Sequence, residues 1–117
     1  MKLSEIIKKL NLEVRTDQVD LDKDVTGAYI SDLLSDVMAN SGKGNVWITL
    51  QKHHNTIAVS ALRELTAVIL VNNREPDPDT IEKANKENIP ILISDKPAYD
   101  IAGELYEMGV GRERDDV

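Results

Sequence analysis

The chain has 117 residues, of which 41% are apolar and 30% are charged, and its net charge at neutral pH is −7. That length and composition suit one folded globular domain. The absence of Cys excludes disulfides and thiolate metal sites, and the acidity argues against nucleic acid and anionic membranes as partners. No apolar run is long enough for a signal peptide or a membrane span, so we expect a cytosolic protein.

The first part of the chain predicts a helix, a short strand and an acidic connection. Apolar residues recur at helical spacing at Leu3, Ile6, Ile7 and Leu10. Ser4 is placed to cap the start of this helix. Residues 12–15 alternate between apolar and polar side chains, which predicts a short strand, and residues 17–24 form an acidic connection.

From residue 28 onward, strands and helices alternate. The predicted strands cover residues 28–30, 46–50, 67–71 and 90–93, and the predicted helices cover 33–38, 55–65, 78–88 and 97–106. The helix positions predicted to face the sheet include Leu33, Met38, Leu62 and Tyr106. Gly109 is predicted to end the last helix, and residues 111–117 are predicted to form a mobile charged tail.

This alternation predicts an α/β fold, because short apolar strands joined by helices form right-handed crossovers in a parallel sheet. We expect a single three-layer domain over residues 1–117, with a mainly parallel sheet of four to five strands flanked by helices on both faces. The strand at 67–71 is apolar at every position, as in a strand covered on both faces.

The loops after the strands are the candidate ligand site, because open parallel sheets bind ligands beyond the carboxyl ends of their strands. The polar residues in these loops that we select are Ser31, Asp32, Gln51, Asn72, Arg74 and Ser94. Backbone N–H groups at the helix starts also favour anions there. A structural role competes with this interpretation: Ser31, Asp32, Asp77 and Asp95 are placed to cap helices, and Arg74 can pair with an acidic neighbour.

Three motifs point to chemistry but lack its requirements. Residues 41–45 resemble a phosphate-binding loop, yet they follow a helix and precede a strand. The aspartates at 20, 22 and 24 have the spacing of calcium ligands, but Val25 and Ser31 occupy the positions that require Gly and Glu. His53 and His54 are adjacent and therefore point in different directions. We predict no metal site, no cofactor and no catalytic residue.

The segment Asp24-Val25-Thr26-Gly27-Ala28 resembles the signature of the DRTGG domain. It matches at the Asp, Thr and first Gly, while Val25 stands where the signature has Arg and Ala28 where it has the last Gly. Residues 28–39, 46–51 and 73–76 are also similar to small stand-alone members, so the resemblance covers nearly the whole chain.

The resemblance implies an α/β fold similar to the N-terminal domain of HPr kinase/phosphorylase. Such domains occur beside CBS domains, attached to phosphotransacetylases, or alone, and they act as dimerising or regulatory modules. No catalytic residues come with the family. Thr26 and Gly27 join the candidate site as motif residues, although a turn that shapes the start of the next strand explains them equally well.

The leading hypothesis is a regulatory or assembly domain that forms a homodimer and binds a small anionic ligand, of nucleotide or phosphate type, or a partner protein. The alternative is an accessory subunit or minor enzyme of phosphoryl or acyl transfer that uses Ser31, Asp32, His54 or Arg74, which would then converge in one pocket. A third interpretation is an adaptor for a redox or kinase complex.

Overall fold

The structure is a computed structural model that describes residues 1–112. Its elements are α1 Leu3–Leu10, β1 Glu13–Val14, β2 Gly27–Ile30, α2 Leu34–Asn40, β3 Asn45–Thr49, α3 Asn55–Leu62, β4 Ala67–Leu70, α4 Pro78–Glu87, β5 Ile91–Ile93 and α5 Ala98–Glu107. None of the helices within this range has the length and apolarity needed to cross a bilayer.

One five-stranded sheet organises the chain in the order β1-β5-β4-β3-β2. The four strands β2 to β5 are parallel neighbours in chain order, and β1 pairs antiparallel with β5. The predicted α/β architecture with a mainly parallel sheet is confirmed. Because β2 to β5 follow one another without a reversal, the sheet has no switch point of the kind that opens a ligand crevice in doubly wound folds.

Two apolar cores lie on opposite faces of this sheet. On one face, α1 and α5 pack on side chains such as Ile48, Ile69 and Leu92. On the other face, α2, α3 and α4 pack on the alternate strand residues, which include Trp47 and Val68. Three successive crossovers of the same hand place their helices on one face, so the opposite face is covered by the two terminal helices.

The helix starts differ in detail from the sequence predictions. Ser4 does not cap α1; its hydroxyl donates to Asp22 at 3.0 Å, and Glu5 accepts the backbone N–H of Lys2. The cap position before α2 is Leu33, whose N–H donates to the Ser31 hydroxyl at 3.1 Å. Helix α4 begins at Pro78, as predicted, because Pro needs no partner for a backbone donor at that position.

Several apolar residues predicted to face the sheet are exposed. Leu62 is 72% exposed, Leu33 63%, Tyr106 62% and Met38 38%. Leu33 precedes α2, so helical spacing does not apply to it, whereas Leu62 fits the spacing but is the last residue of α3. Tyr106 lies on the outer side of α5, one position beyond the buried Leu105.

The last described residues are packed against the fold and not extended. Gly109 follows the end of α5 with φ +90°, as predicted for its terminating residue. Gly111 lies against Gly27, and the Arg112 guanidinium stacks 4.2 Å from the centre of the Tyr106 ring. Residues 111 and 112, which the sequence assigned to a tail, therefore contact the fold. The rest of that predicted tail, 113–117, lies outside the described residues.

Candidate functional site

The eight predicted site residues are divided between the two ends of the sheet. Thr26 and Gly27 lie where β2 begins, whereas the loops that follow β2, β3, β4 and β5 hold Ser31, Asp32, Gln51, Asn72, Arg74 and Ser94. The two groups cannot form one site, because the length of the strands separates them. The division is visible in the sequence itself, since β2 lies between Gly27 and Ser31.

An open basin of about 400 Å³ lies at the carboxyl ends of β3 and β4. Its lining residues are Asp32, Leu50, Gln51, Lys52, His53 and Arg74. Three of the predicted residues, Asp32, Gln51 and Arg74, are therefore brought together. The sequence analysis selected neither Lys52 nor His53 as a site residue. Their position directly after β3 is the signal that places both beside Gln51.

Asp32 forms one wall of the basin and fixes the end of β3. Its Oδ1 accepts the hydroxyl of Thr49 at 2.7 Å and the backbone N–H of Leu50 at 2.8 Å. The Gln51 side-chain amide donates to the Asp32 carbonyl oxygen at 2.7 Å. Asp32 therefore holds the β3 exit in place, and Gln51 is oriented by the same contact. Asp32 does not cap α2, contrary to the prediction.

Arg74 supplies the guanidinium of the basin. Within residues 1–112 its guanidinium has no ion pair or side-chain hydrogen bond, and the residue is exposed. Its acidic neighbour Glu75 instead accepts both guanidinium N–H groups of Arg15, at 2.9 and 2.7 Å. These hydrogen bonds lower the pKa of Glu75. The acidic neighbour that competes for Arg74 in the sequence is thus already paired across the sheet.

Lys52 and His53 are tied to the start of α4 through Asp77. His53 Nδ1 lies 2.9 Å from one Asp77 oxygen, and Lys52 Nζ lies 3.6 Å from the other. The hydrogen bond to His53, followed by the charge of Lys52, holds the pKa of Asp77 below its usual value. The Asp77 carboxylate therefore offsets part of the positive charge of Lys52, whereas Arg74 on the basin wall has no such partner in the part of the chain that the structure describes.

The other predicted carboxyl-end residues shape the loops and do not line the basin. Asn72 and Asn73 adopt left-handed backbone conformations, with N–H groups that donate to Lys96 and Ser94 carbonyl oxygens. The buried Ser94 hydroxyl accepts the N–H of Lys96 at 3.0 Å. Ser31 is used at the start of α2, as described above. These contacts close the loops after β4 and β5 against each other.

The four residues named for the alternative enzyme do not converge. Asp32 and Arg74 line the basin, but Ser31 and His54 do not. His54 Nδ1 lies 3.5 Å from Asp79 on the surface. In the part of the chain that the structure describes, no group of three or more His, Asp or Glu side chains is arranged to hold a metal ion.

Thr26 and Gly27 form a packed junction at the amino end of the sheet. The Thr26 hydroxyl donates to the Lys43 carbonyl oxygen at 2.7 Å and accepts the Asn45 amide at 3.2 Å. A Cβ on Gly27 would lie 3.1 Å from that amide and 3.8 Å from the Cα of Gly111. The motif residues therefore join three segments of backbone, which is the turn-shaping role that the sequence left open.

A second groove, of about 420 Å³, runs beside β2 under α5. Thr26 and Gly27 lie at one end of it, and its walls are mainly apolar, with Ala28, Ile30, Leu105 and Tyr106. Sequence reasoning missed this groove, because it depends on how far α5 reaches across the outer strand.

The comparisons with known proteins support the fold and leave the family unassigned. No protein-family model and no curated protein matches the sequence. The chain is similar in structure to the CBS and DRTGG domains of the regulatory region of Clostridium perfringens pyrophosphatase, solved with its activator diadenosine tetraphosphate. The TM-score is 0.67 at 14% identity, over 97% of this chain. The match covers 49% of the pyrophosphatase chain, so this chain spans about half of that region.

Proposed function

We propose that the chain is a non-catalytic regulatory or assembly domain of DRTGG type that self-associates and binds a small anionic ligand in the carboxyl-end basin. The ligand part rests on the guanidinium of Arg74, which lies beside Lys52 and His53 and has no partner among residues 1–112. A guanidinium presents several N–H donors in a planar fork that matches phosphate or carboxylate oxygens. The ligand class that fits is a nucleotide or another phosphate compound.

The fold similarity supports the regulatory half of this proposal. The similar structure belongs to the regulatory region of an enzyme and was solved with a nucleotide activator. That region contains two kinds of domain, and the activator is described for the region as a whole. Nucleotide binding by this chain therefore has to be measured on the chain itself.

The ligand proposal is tested by calorimetric titration of the purified protein with nucleotides, dinucleoside polyphosphates, acyl phosphates and inorganic phosphate. Arg74→Gln is expected to weaken the binding of any phosphate ligand by about 10- to 100-fold, because a hydrogen bond to a charged group contributes about 1.5–3 kcal/mol. Lys86→Gln is the matched control: it removes one exposed positive charge from the last turn of α4, at the other end of the sheet.

The outcomes test ligand binding in the basin separately from self-association. Equal losses in the two variants would indicate a general charge effect and remove the basin as the site. The lack of any binding in the whole panel would contradict the ligand part. Self-association is measured separately, by sedimentation equilibrium, and does not depend on the titrations.

A further inference from the structure

The outer edge of β2 is open. Among residues 1–112 this strand pairs on one side with β3 and on the other side with no strand. Alternate residues of an edge strand point their N–H and C=O groups outward, where another strand can pair with them. β2 is also the longer edge of the sheet, with four residues against two in β1.

Exposed apolar side chains concentrate around this edge. Six large apolar residues are exposed in the described structure: Ile30, Leu33, Met38, Leu62, Tyr99 and Tyr106. The first three belong to β2, the loop after it and α2, and Tyr106 lines the groove beside β2. Four of the six therefore surround one strand, whereas scattered exposed apolar residues would be ordinary on a soluble protein.

β2 itself carries no charged side chain, although the whole chain is strongly acidic. Beside the strand, Asp36 of α2 accepts the Tyr29 hydroxyl, and Arg112 lines the groove under α5. Residues 25–31 contain no Asp, Glu, Lys or Arg. Asp32, which follows, turns its carboxylate Oδ1 inward to Thr49 and Leu50. Proteins commonly protect an exposed edge with charged residues or Pro, and β2 has neither. The strand therefore lets two copies with a net charge of −7 meet without placing acidic side chains of β2 against each other.

We propose that a second copy of this chain pairs with β2 along this edge, antiparallel to the first, so that the two sheets join into one of ten strands. This proposal rests on the self-association part of the proposed function and specifies its surface. An antiparallel β2 pair has a two-fold axis perpendicular to the sheet, which gives the closed, self-complementary contact that dimers favour.

That symmetry keeps the faces of the two sheets aligned. Ala28 and Ile30, which line the groove under α5, meet the same pair of residues from the other copy on the α5 side. The groove beside β2 then receives apolar side chains of the second copy, and Tyr106 of each copy lies at its rim. On the opposite side, α2 and its exposed Met38 approach their counterparts across the same axis.

Sedimentation equilibrium on two charge-introducing variants tests the surface. Ile30→Lys places a cation on the edge and is expected to raise the dimer dissociation constant by about 100-fold, as for a central apolar contact. Leu62→Lys changes a more exposed residue at the end of α3 and is expected to leave the dimer dissociation constant unchanged. Circular dichroism and urea melts show whether each variant is folded.

The outcomes distinguish the surface from self-association in general. A wild-type protein that stays monomeric at high concentration overturns the pairing and also the self-association part of the proposed function. A wild-type dimer that survives Ile30→Lys but is lost with Leu62→Lys overturns the β2 edge and leaves self-association standing. Ligand binding in the basin is independent of both results.

A cross-link provides a second test that does not require loss of binding. Because the chain has no Cys, Ala28→Cys and Leu62→Cys each give a protein with one thiol. A short bis-maleimide is expected to link Ala28→Cys into covalent dimers and to leave Leu62→Cys mostly unlinked. Efficient linking of Leu62→Cys with none at residue 28 would contradict the proposal, even if the edge variant failed to fold.

Discussion

The two edges of the sheet are built in opposite ways. The β1 edge is short, antiparallel to its neighbour and held by charge, because Arg15 forms ion pairs with Glu13 at 3.0 Å and with Glu75 at 2.7 Å. The β2 edge is longer, its strand has no charged residue, and exposed apolar residues surround it. Proteins that close one edge by charge and leave the other apolar have one side available for association.

The largest expected effect comes from Trp47, which lies on β3 opposite Tyr29 of β2. Its side chain is fully buried, and its indole N–H donates to the Ser31 carbonyl oxygen at 2.8 Å, at the exit of β2. Trp47→Ala should lower the free energy of unfolding by about 3–5 kcal/mol, because it leaves a large cavity. Urea melts followed by circular dichroism measure this loss. Trp fluorescence does not serve, because the substitution removes the only Trp. A loss below about 1 kcal/mol would mean that the β2 edge does not depend on this core.

The next effect concerns Gly44, which fixes the start of β2. It has φ +83°, and a Cβ there would lie 2.7 Å from Thr26 Cγ2. Gly44→Ala should therefore cost about 1–3 kcal/mol in unfolding free energy. Gly42→Ala is the matched control in the same loop, since its nearest atom would be at 3.5 Å and its φ is not positive. Equal melts for the two variants would show that the Thr26 junction does not hold β2.

Gly103 tests α5, the helix that flanks the groove beside β2. It lies in the interior of α5 and is exposed, and a Cβ there would meet nothing within 4 Å. Gly103→Ala should raise the unfolding free energy by about 0.5–1 kcal/mol, because Gly is a poor residue for a helix interior. The gain should appear at low protein concentration. A gain that vanishes at concentrations where the protein dimerises would place the second copy against this face of α5.

The smallest effect is expected at the β1 edge. Arg15→Gln should cost about 0.2–1 kcal/mol at neutral pH, because the pair with Glu75 is partly exposed. Arg15 lowers the pKa of Glu75 in the folded state below its ordinary 4.5. The stabilisation is therefore complete above that value and is lost as the pH falls through the lower folded pKa. Urea melts at pH 7 and pH 3 should show the difference between wild type and variant shrinking. A difference that stays constant would assign the cost to packing.

Much of the fold can be predicted from local patterns of the sequence. The apolar strand at 67–71 and Pro78 at the start of α4 were predicted from neighbouring residues alone, because burial on both faces and helix start chemistry act over a few positions. The buried face of each helix was predicted less well at its ends. Leu62 and Tyr106 fit the helical spacing, but the spacing does not say where the helix stops or how far it reaches across the sheet.

The site was harder to predict because its decisive contacts link distant residues. Among residues 1–112 Arg74 has no ion pair while its neighbour Glu75 pairs with Arg15, and Asp32 is occupied because it accepts hydrogen bonds from Thr49 and Leu50. Neither pairing can be predicted from neighbouring residues, because the partners are far apart in the sequence. The separation of Thr26 from the carboxyl-end residues, by contrast, follows from the position of β2 and was available from the sequence.

The strand order also has a consequence for how the chain reaches its fold. Gly27 pairs with Asn45 and Val46 with Ala67, so each parallel strand finds its neighbour after a short stretch of chain. Glu13 pairs with Ile93, close to the opposite end of the chain. Contacts between distant segments form more slowly than local ones. We therefore expect β1 to join the sheet last.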